Sequence, residues 1–110
     1  GTQAIFTADV LSIGMATLER AGIRTGDSVA VFGQGPVGLS VVASARALGA
    51  GLVMGVDSVE YRQLISRQLG ADAVFAAGEG VARVKDATGG RGADIVVDAV
   101  GGNVAVFQDA

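Results

Sequence analysis

The sequence predicts an α/β fold in which helices cover both faces of a doubly wound parallel sheet. Three observations predict it. Short apolar runs alternate with longer segments of helical periodicity, as in consecutive βαβ units. The apolar runs are almost continuous, which is typical of parallel strands that are buried on both faces. A glycine-rich turn follows the first run and opens the next helix.

The elements can be assigned in order along the chain. The predicted helices cover residues 8–22, 36–48, 59–69 and 79–87, and the predicted strands cover residues 28–32, 52–57, 73–75 and 93–98. A complete fold of this class has six strands, so the sequence predicts an incomplete sheet of about four strands, in the order 3-2-1-4. We expect the chain to be inside or just after another helix start at residue 110, and the absence of the second half of the sheet would leave the outer edge of the fourth strand open.

Apolar spacing also predicts which helix faces are buried. The predicted core contacts are Val10, Leu11, Met15, Leu18 and Ala21 in the first helix, Val37, Val41, Ala45 and Leu48 in the second, and Tyr61, Leu64, Ile65 and Leu69 in the third. Ser58 is the predicted N-cap of the third helix because its hydroxyl can accept a hydrogen bond from a free N–H of the first turn. Gly49 and Gly70 fit helix C-terminal caps.

The turn at residues 33–38 has the spacing of a dinucleotide-binding loop, Gly-x-Gly-x-x-Gly. Gly33 allows the chain to turn sharply off the strand, and Gly35 leaves room for a pyrophosphate beside the main chain. Gly38 allows the helix to pack close to the strand. The free N–H groups at the helix start then favour phosphate. The sequence therefore predicts a Rossmann-type sheet.

Asp57 ends the second predicted strand, nineteen residues after Gly38. An acid at this place can accept hydrogen bonds from the hydroxyls of the adenosine ribose. A 2′-phosphate would be repelled by it, so the sequence favours NAD over NADP. An alternative for Asp57 is a capping or solvated acid. The alternative for the loop is a structural tight turn, since the chain has 18 glycines among 110 residues and motifs can arise by chance.

Composition limits the possible functions. The length predicts one domain, and the net charge of −3 without a basic cluster argues against nucleic acid. No apolar run reaches the roughly 20 residues of a membrane span, and no signal peptide is visible. Cysteine and histidine are both absent, so a complete catalytic site within this chain is not expected. The lack of cysteine is compatible with a cytoplasmic protein.

Five segments together resemble the medium-chain dehydrogenase/reductase family, and in particular its zinc-dependent alcohol dehydrogenases. They are residues 21–31, 33–39, 45–50, 68–72 and 89–101. The resemblance covers roughly residues 4–107. It implies hydride exchange between an alcohol and a nicotinamide cofactor. The resemblance also implies that residues 1–110 form a truncated NAD-binding domain, with a leading helix and turn at 1–26 and a βαβ core at 28–110. The catalytic domain would lie outside this chain, and these residues alone would be inactive.

The resemblance implies roles for particular residues. The residues matched to cofactor binding are Gly33, Gly35, Pro36, Val37, Gly38, Asp57, Arg62, Ala99, Val100 and Gly101. Arg62 matches a basic position beside the adenosine ribose. The alternative interpretation is that Arg62 is a solvent-exposed charge on the helix without a role in binding. The last three residues match the end of the fourth strand, against the cofactor.

Asp9 matches a position at which members of the family carry a zinc ligand, Cys in some and Asp in others. Its alternative is an acid that stabilises a helix N-terminus without metal. Zinc needs about three protein ligands, and the others would come from the absent catalytic domain. The chain departs from the family at Ile13-Gly14-Met15, where Thr-Gly-Tyr is frequent. A hydroxyl is lost at Ile13, which puts the type of substrate in doubt.

Other functions remain open at this point. One is a zinc-free quinone or enoyl reductase of the same family, and another is a non-catalytic nucleotide-sensing module. A methyltransferase is a third, because such folds also place glycine-rich loops and a strand-end acid in similar positions. For a complete dehydrogenase the expected partners are NAD(H) and an alcohol or carbonyl substrate, with assembly as a dimer or tetramer.

Overall fold

A computed structural model describes residues 11–100 and 105–108 of the chain. The helices are α1 (Leu11–Arg20), α2 (Pro36–Ala47), α3 (Glu60–Gln68) and α4 (Gly80–Ala87), and a 3₁₀ turn at Ala77–Glu79 precedes the last of them. The strands are β1 (Ser28–Phe32), β2 (Leu52–Val56), β3 (Ala73–Phe75), β4 (Ile95–Asp98) and β5 (Ala105–Gln108). The predicted elements from β1 to β4 are all present, with boundaries that differ by one or two residues.

The strands form one sheet in the order β3-β2-β1-β4-β5. The first four are parallel, which confirms the predicted order 3-2-1-4 and the α/β class. The expectation of a further helix start after β4 is wrong within the described residues, because β5 returns antiparallel and pairs Val97 with Val106. The outer edge of β4 is therefore covered rather than open.

The sheet is buried on both faces. Leu18 of α1 and Val41 of α2 pack with Val29 and Val31 on one face. Val84 of α4 packs with the residues of the other face, which include Ala30, Met54 and Val56. Burial of a side chain such as Leu18 contributes about 1.5–3 kcal/mol to stability. Helices on both faces confirm the doubly wound arrangement.

Helices α1 and α2 approach closely through small residues. The N–H of Gly14 donates a hydrogen bond to Ser40 Oγ over 3.0 Å. A Cβ at Gly14 would lie 2.5 Å from the Ser40 carbonyl oxygen and 2.5 Å from Ser44 Oγ. This contact holds α1 against the helix that begins at the glycine-rich loop.

Predictions for α3 are only partly correct. Tyr61 is 70% exposed and Leu64 is 56% exposed, so neither is a core contact. Ile65 and Leu69 are half-buried. The helix is nine residues long, and Ser66 is its one buried residue. Ser58 is not its N-cap. The N-cap is Val59, which has no side-chain cap bond, and its own N–H donates to Asp57 Oδ1 over 2.8 Å.

Two carboxylates join the amino-terminal ends of neighbouring strands. Asp94 Oδ2 accepts hydrogen bonds from the main-chain N–H and the hydroxyl of Ser28, over 2.8 and 3.1 Å. Asp72 Oδ2 accepts the Val53 N–H and pairs with Arg46, at 2.8 Å each. The hydrogen bond from the Ser28 main chain holds the pKa of Asp94 below its ordinary value, opposed by burial. Within the described residues, no helix has the length and apolar character to cross a membrane.

Candidate functional site

The cleft lies at the carboxyl ends of β1, β2 and β4 and has a volume of about 650 Å³. Open parallel sheets bind ligands at this end, where the chain leaves neighbouring strands in opposite directions. Its lining residues are Phe32, Gly33, Gly35, Pro36, Val37, Val56, Asp57, Ser58, Arg62, Ala77, Ala99 and Val100.

Gly33 makes the turn from β1 into the cleft wall. Its φ is +92°, a backbone conformation that residues with a Cβ rarely adopt. Its N–H donates to the Val56 carbonyl over 2.8 Å, which holds the turn against the end of β2. A Cβ at Gly33 would lie 2.9 Å from the Val100 nitrogen. The glycine is therefore required both by the backbone angle and by the close approach of the chain after β4.

Gly35 and Gly38 have different surroundings. Gly35 is the N-cap of α2, and a Cβ there would meet no atom within 4 Å, so this side of the loop opens into the cleft. A Cβ at Gly38 would overlap the carbonyl oxygen of Gly33, so this glycine allows the helix to pack under the loop. Pro36 occupies the first helical position, where a missing N–H costs nothing. The remaining first-turn N–H groups give this edge of the cleft a positive electrostatic potential.

Asp57 lies at the end of β2 and is 6% exposed. Its Oδ2 accepts the main-chain N–H of Gln34 over 2.7 Å, and its Oδ1 accepts that of Val59 over 2.8 Å. Each oxygen has a second lone pair for a further donor. The half-exposed Arg62 lies with Nη1 3.7 Å from Oδ2. Asp57 thus joins the glycine-rich loop to the start of α3 and presents a carboxylate to the cleft.

Eight of the ten residues predicted to bind cofactor line this one cleft. They are Gly33, Gly35, Pro36, Val37, Asp57, Arg62, Ala99 and Val100. Gly38 does not line the cleft. It is buried where α2 packs against the carbonyl of Gly33. Gly101 and Asp9 lie outside the described residues. The roles assigned to all ten residues remain predictions.

The sequence reading missed several residues of the site. Phe32, Val56, Ser58 and Ala77 also line the cleft. Three of them directly precede or follow a predicted site residue, and Ala77 follows the third strand, so the rule that ligands bind at carboxyl ends could have found them. Gln34 was missed as well. It is fully buried beneath the loop, and the only signal was a polar residue between two motif glycines.

A metal site cannot be built from the described residues alone. Among them, no group of three His, Cys, Asp or Glu side chains is close enough to share an ion. Zinc sites need about three such ligands. A ligand role for Asp9 stays a prediction.

Comparisons with known proteins agree with this geometry. Residues 36–110 match the family described as zinc-binding dehydrogenase. The chain is 43% identical over 101 residues to an alcohol dehydrogenase of Cupriavidus necator, covering 90% of this chain and 28% of that protein. It is 39% identical over 110 residues to the NADP-dependent isopropanol dehydrogenase of Entamoeba histolytica, covering 98% and 30%.

A solved structure is similar as well. The alcohol dehydrogenase TADH from Thermus sp. ATN1 superposes with a TM-score of 0.81 at 40% identity, over 90% of this chain and 29% of that one. The chain therefore spans somewhat less than a third of the length of these relatives.

Proposed function

The chain belongs to the zinc-binding dehydrogenase family, and we propose that its cleft binds NAD(H) as part of a zinc-dependent alcohol or polyol dehydrogenase. One observation carries the proposal: eight residues that were matched independently to cofactor binding line a single cleft at the carboxyl end of the sheet. The dehydrogenase relatives favour this function over the nucleotide-sensing and methyltransferase alternatives.

The glycine-rich edge of the cleft fits a pyrophosphate. Gly35 carries no side chain where phosphate oxygens would approach, and nothing lies within 4 Å of its Cβ direction. The first turn of α2 offers main-chain N–H donors and the positive end of the helix dipole. In our proposal, Gly35 and Val37 face the phosphates, and Gly33 and Gly38 shape the loop without touching them.

The opposite end of the cleft fits an adenosine ribose. Asp57 has acceptor capacity left after its two main-chain bonds, and ribose hydroxyls are donors that can use it. A 2′-phosphate would instead meet the carboxylate at close range, so we propose a preference for NAD over NADP. Among the described residues that line the cleft, Arg62 is the one cation, and its charge opposes this preference. The Entamoeba histolytica relative is NADP-dependent, so the choice of cofactor requires measurement.

A bound nicotinamide would supply hydride exchange with an alcohol or carbonyl carbon. Phe32, Ala99 and Val100 supply apolar lining at the carboxyl ends of β1 and β4. Such a lining would hold the flat ring and keep water from its reacting face. This chain's part of the reaction is thus binding and orientation.

The remaining parts of the enzyme are proposed to lie in a longer protein. Residues 1–110 would be its nucleotide-binding domain, since the relatives are about three times as long. A separate catalytic domain would bring the metal ligands that accompany Asp9 and would bind the alcohol. Assembly as a dimer or tetramer is part of the same proposal.

The proposal is tested by fluorescence titration of the purified chain with NADH and with NADPH, after circular dichroism shows that it is folded. We expect NADH to bind at least about tenfold more tightly, a difference of about 1.4 kcal/mol. Equal affinities, or tighter NADPH binding, would overturn the assignment of Asp57 as selector. A folded chain that binds neither nucleotide would overturn the cofactor proposal for this chain.

A further inference from the structure

Gln34 is a fully buried polar residue inside the glycine-rich loop, with 0% of its surface exposed. Glutamine is mostly exposed in proteins because an amide buried without partners loses its hydrogen bonds to water. This side chain turns away from the cleft and beneath the loop, and it is absent from the cleft lining. Neither the glycine-rich motif nor the packing of the sheet explains why a glutamine is buried at this position.

The carboxamide of Gln34 is used to bind the loop itself. Its Nε2 donates to the Val31 carbonyl over 2.9 Å and to the Gly33 carbonyl over 3.1 Å. An amide has two N–H donors on its nitrogen, and both are satisfied here. The flipped orientation would place the Gln34 oxygen against two carbonyl oxygens, so the hydrogen bonds determine the direction of the group.

One peptide group is consequently held at both ends. The carbonyl of the Gly33–Gln34 peptide accepts from Gln34 Nε2, and the N–H of the same peptide donates to Asp57 Oδ2 over 2.7 Å. In a trans peptide these two groups point in opposite directions. Rotation of this peptide would break both bonds. This peptide lies one peptide group before the Gln34–Gly35 peptide, so its orientation constrains where the next main-chain groups of the loop face.

The space for the carboxamide depends on a glycine of the neighbouring strand. A Cβ at Gly55 would lie 2.9 Å from Gln34 Oε1 and 2.8 Å from Ser66 Oγ. Gly55 thus leaves room for the carboxamide between β2 and α3. Ser66 is equally buried, and neither its hydroxyl nor Gln34 Oε1 makes a hydrogen bond with the described residues. Ser66 provides a matched control because it borders the same space without holding the loop.

We propose that Gln34 is a positioning residue of the nucleotide site, which fixes the Gly33–Gln34 peptide and so presets the phosphate-facing side of the loop. This inference rests on the proposed nucleotide function for its consequence in binding. The fixing of the loop is independent of any ligand. It can therefore be measured in the chain without nucleotide.

The first experiment is amide hydrogen exchange by ¹⁵N NMR on the unaltered chain. We expect the carboxamide hydrogens of Gln34 to exchange at least about tenfold more slowly than those of the exposed Gln68, because both are buried and bonded. Exchange at the rate of Gln68 would overturn the proposal. This measurement needs no variant, so it decides the question even if a substituted chain fails to fold.

The second experiment compares Gln34→Met, which keeps the length of the side chain and removes both donors, with Ser66→Ala. We expect Gln34→Met to speed exchange of the main-chain amide at position 34 about tenfold or more, with core amides such as Val53 unchanged. NADH affinity should fall about tenfold in Gln34→Met and stay unchanged in Ser66→Ala.

The outcomes separate the two proposals. If the unaltered chain binds no NADH but Gln34→Met loosens the loop amide, the proposed function fails and the positioning role stands. If NADH binds and Gln34→Met alters neither exchange nor affinity, the proposed function stands and the positioning role is wrong. Equal effects of Gln34→Met and Ser66→Ala would also overturn it, since burial alone would then explain them.

Discussion

The Asp57 carboxylate at the end of β2 accepts the main-chain N–H of Gln34 in the glycine-rich loop, over 2.7 Å. The acid proposed to select the cofactor is therefore also a brace of the loop proposed to bind its phosphates. Its second oxygen holds Val59 before α3. Selectivity and loop geometry are thus coupled through one side chain, and a substitution there changes both.

Replacing this acid tests the coupling. We expect Asp57→Gly to lower the preference for NADH over NADPH and to weaken NADH binding about tenfold or more, because the variant loses both the repulsive charge and the acceptor of two N–H groups. Paired titrations with the two nucleotides measure it. Glu60→Gln removes an exposed charge nearby without touching the loop and should change neither quantity. Unaltered selectivity in Asp57→Gly would contradict the assigned role.

Alanine substitutions at two glycines of the loop should affect different properties, stability at Gly33 and nucleotide binding at Gly35. Gly33→Ala should destabilise the chain by about 1–3 kcal/mol, because φ is +92° and the added methyl meets Val100. Gly35→Ala should leave stability nearly unchanged, since its Cβ direction is open, but should weaken NADH binding where the methyl meets phosphate. Urea unfolding and NADH titration of both variants separate the effects. Similar losses of stability would show that the open side is misassigned.

The packing of α1 against α2 gives a third prediction. Gly14→Ala should destabilise by about 1–3 kcal/mol although alanine favours helices, because its Cβ would lie 2.5 Å from the Ser40 carbonyl oxygen. The matched control is Gly78→Ala, at a glycine with no atom within 4 Å of its Cβ direction. Thermal unfolding of both variants provides the measurement. A Gly14→Ala variant as stable as the parent would mean that the helices are not in close contact.

The lowered pKa of Asp94 predicts that the stability of the fold falls at acid pH. This pKa is lowered in the folded chain, chiefly by the Ser28 main-chain hydrogen bond. A lowered folded pKa stabilises the fold above the unfolded value of about 3.9, and that contribution is lost as pH falls from there through the folded pKa. Urea midpoints measured from pH 5 downward should therefore fall less steeply in Asp94→Asn than in the parent. Asp86→Asn, at an exposed carboxylate of α4, should retain the parent slope. Identical slopes in all three chains would contradict the prediction.

The chain alone is expected to bind cofactor without turning over an alcohol. The described residues hold no group of three potential metal ligands, and the sequence contains no histidine or cysteine. Incubation with NAD and a panel of alcohols should give no NADH by absorbance, with the NADH titration as the control for a competent cleft. Measurable turnover would refute this expectation.

Local patterns were sufficient for most of the fold. Apolar runs predicted β1 through β4 because strands buried on both faces have little choice of residue type. The glycines at 33, 35 and 38 could be assigned because a sharp turn and a close helix approach exclude side chains. The order 3-2-1-4 could be predicted because alternating strands and helices with a glycine-rich loop after the first strand fit the strand order of a Rossmann-type sheet.

Other features were not readable from local patterns. The spacing of Tyr61 and Leu64 indicated a buried face, but in α3 Ser66 is the one buried residue and both of these side chains are exposed. Strand β5 was missed because its pairing with β4 depends on where the chain returns after residue 100. Such outcomes depend on neighbours distant in sequence.

The sequence by itself determined the α/β class, the parallel strand order, the glycine-rich loop and the acid after β2, because each depends on residue type and spacing along the chain. The hydrogen bonds of Asp57 to the loop and of Gln34 beneath it could be known from the folded chain alone. Both join groups that are brought together by folding. A polar side chain's partners lie in space rather than in sequence, so its burial and bonding emerge only once β1, β2 and α3 are assembled.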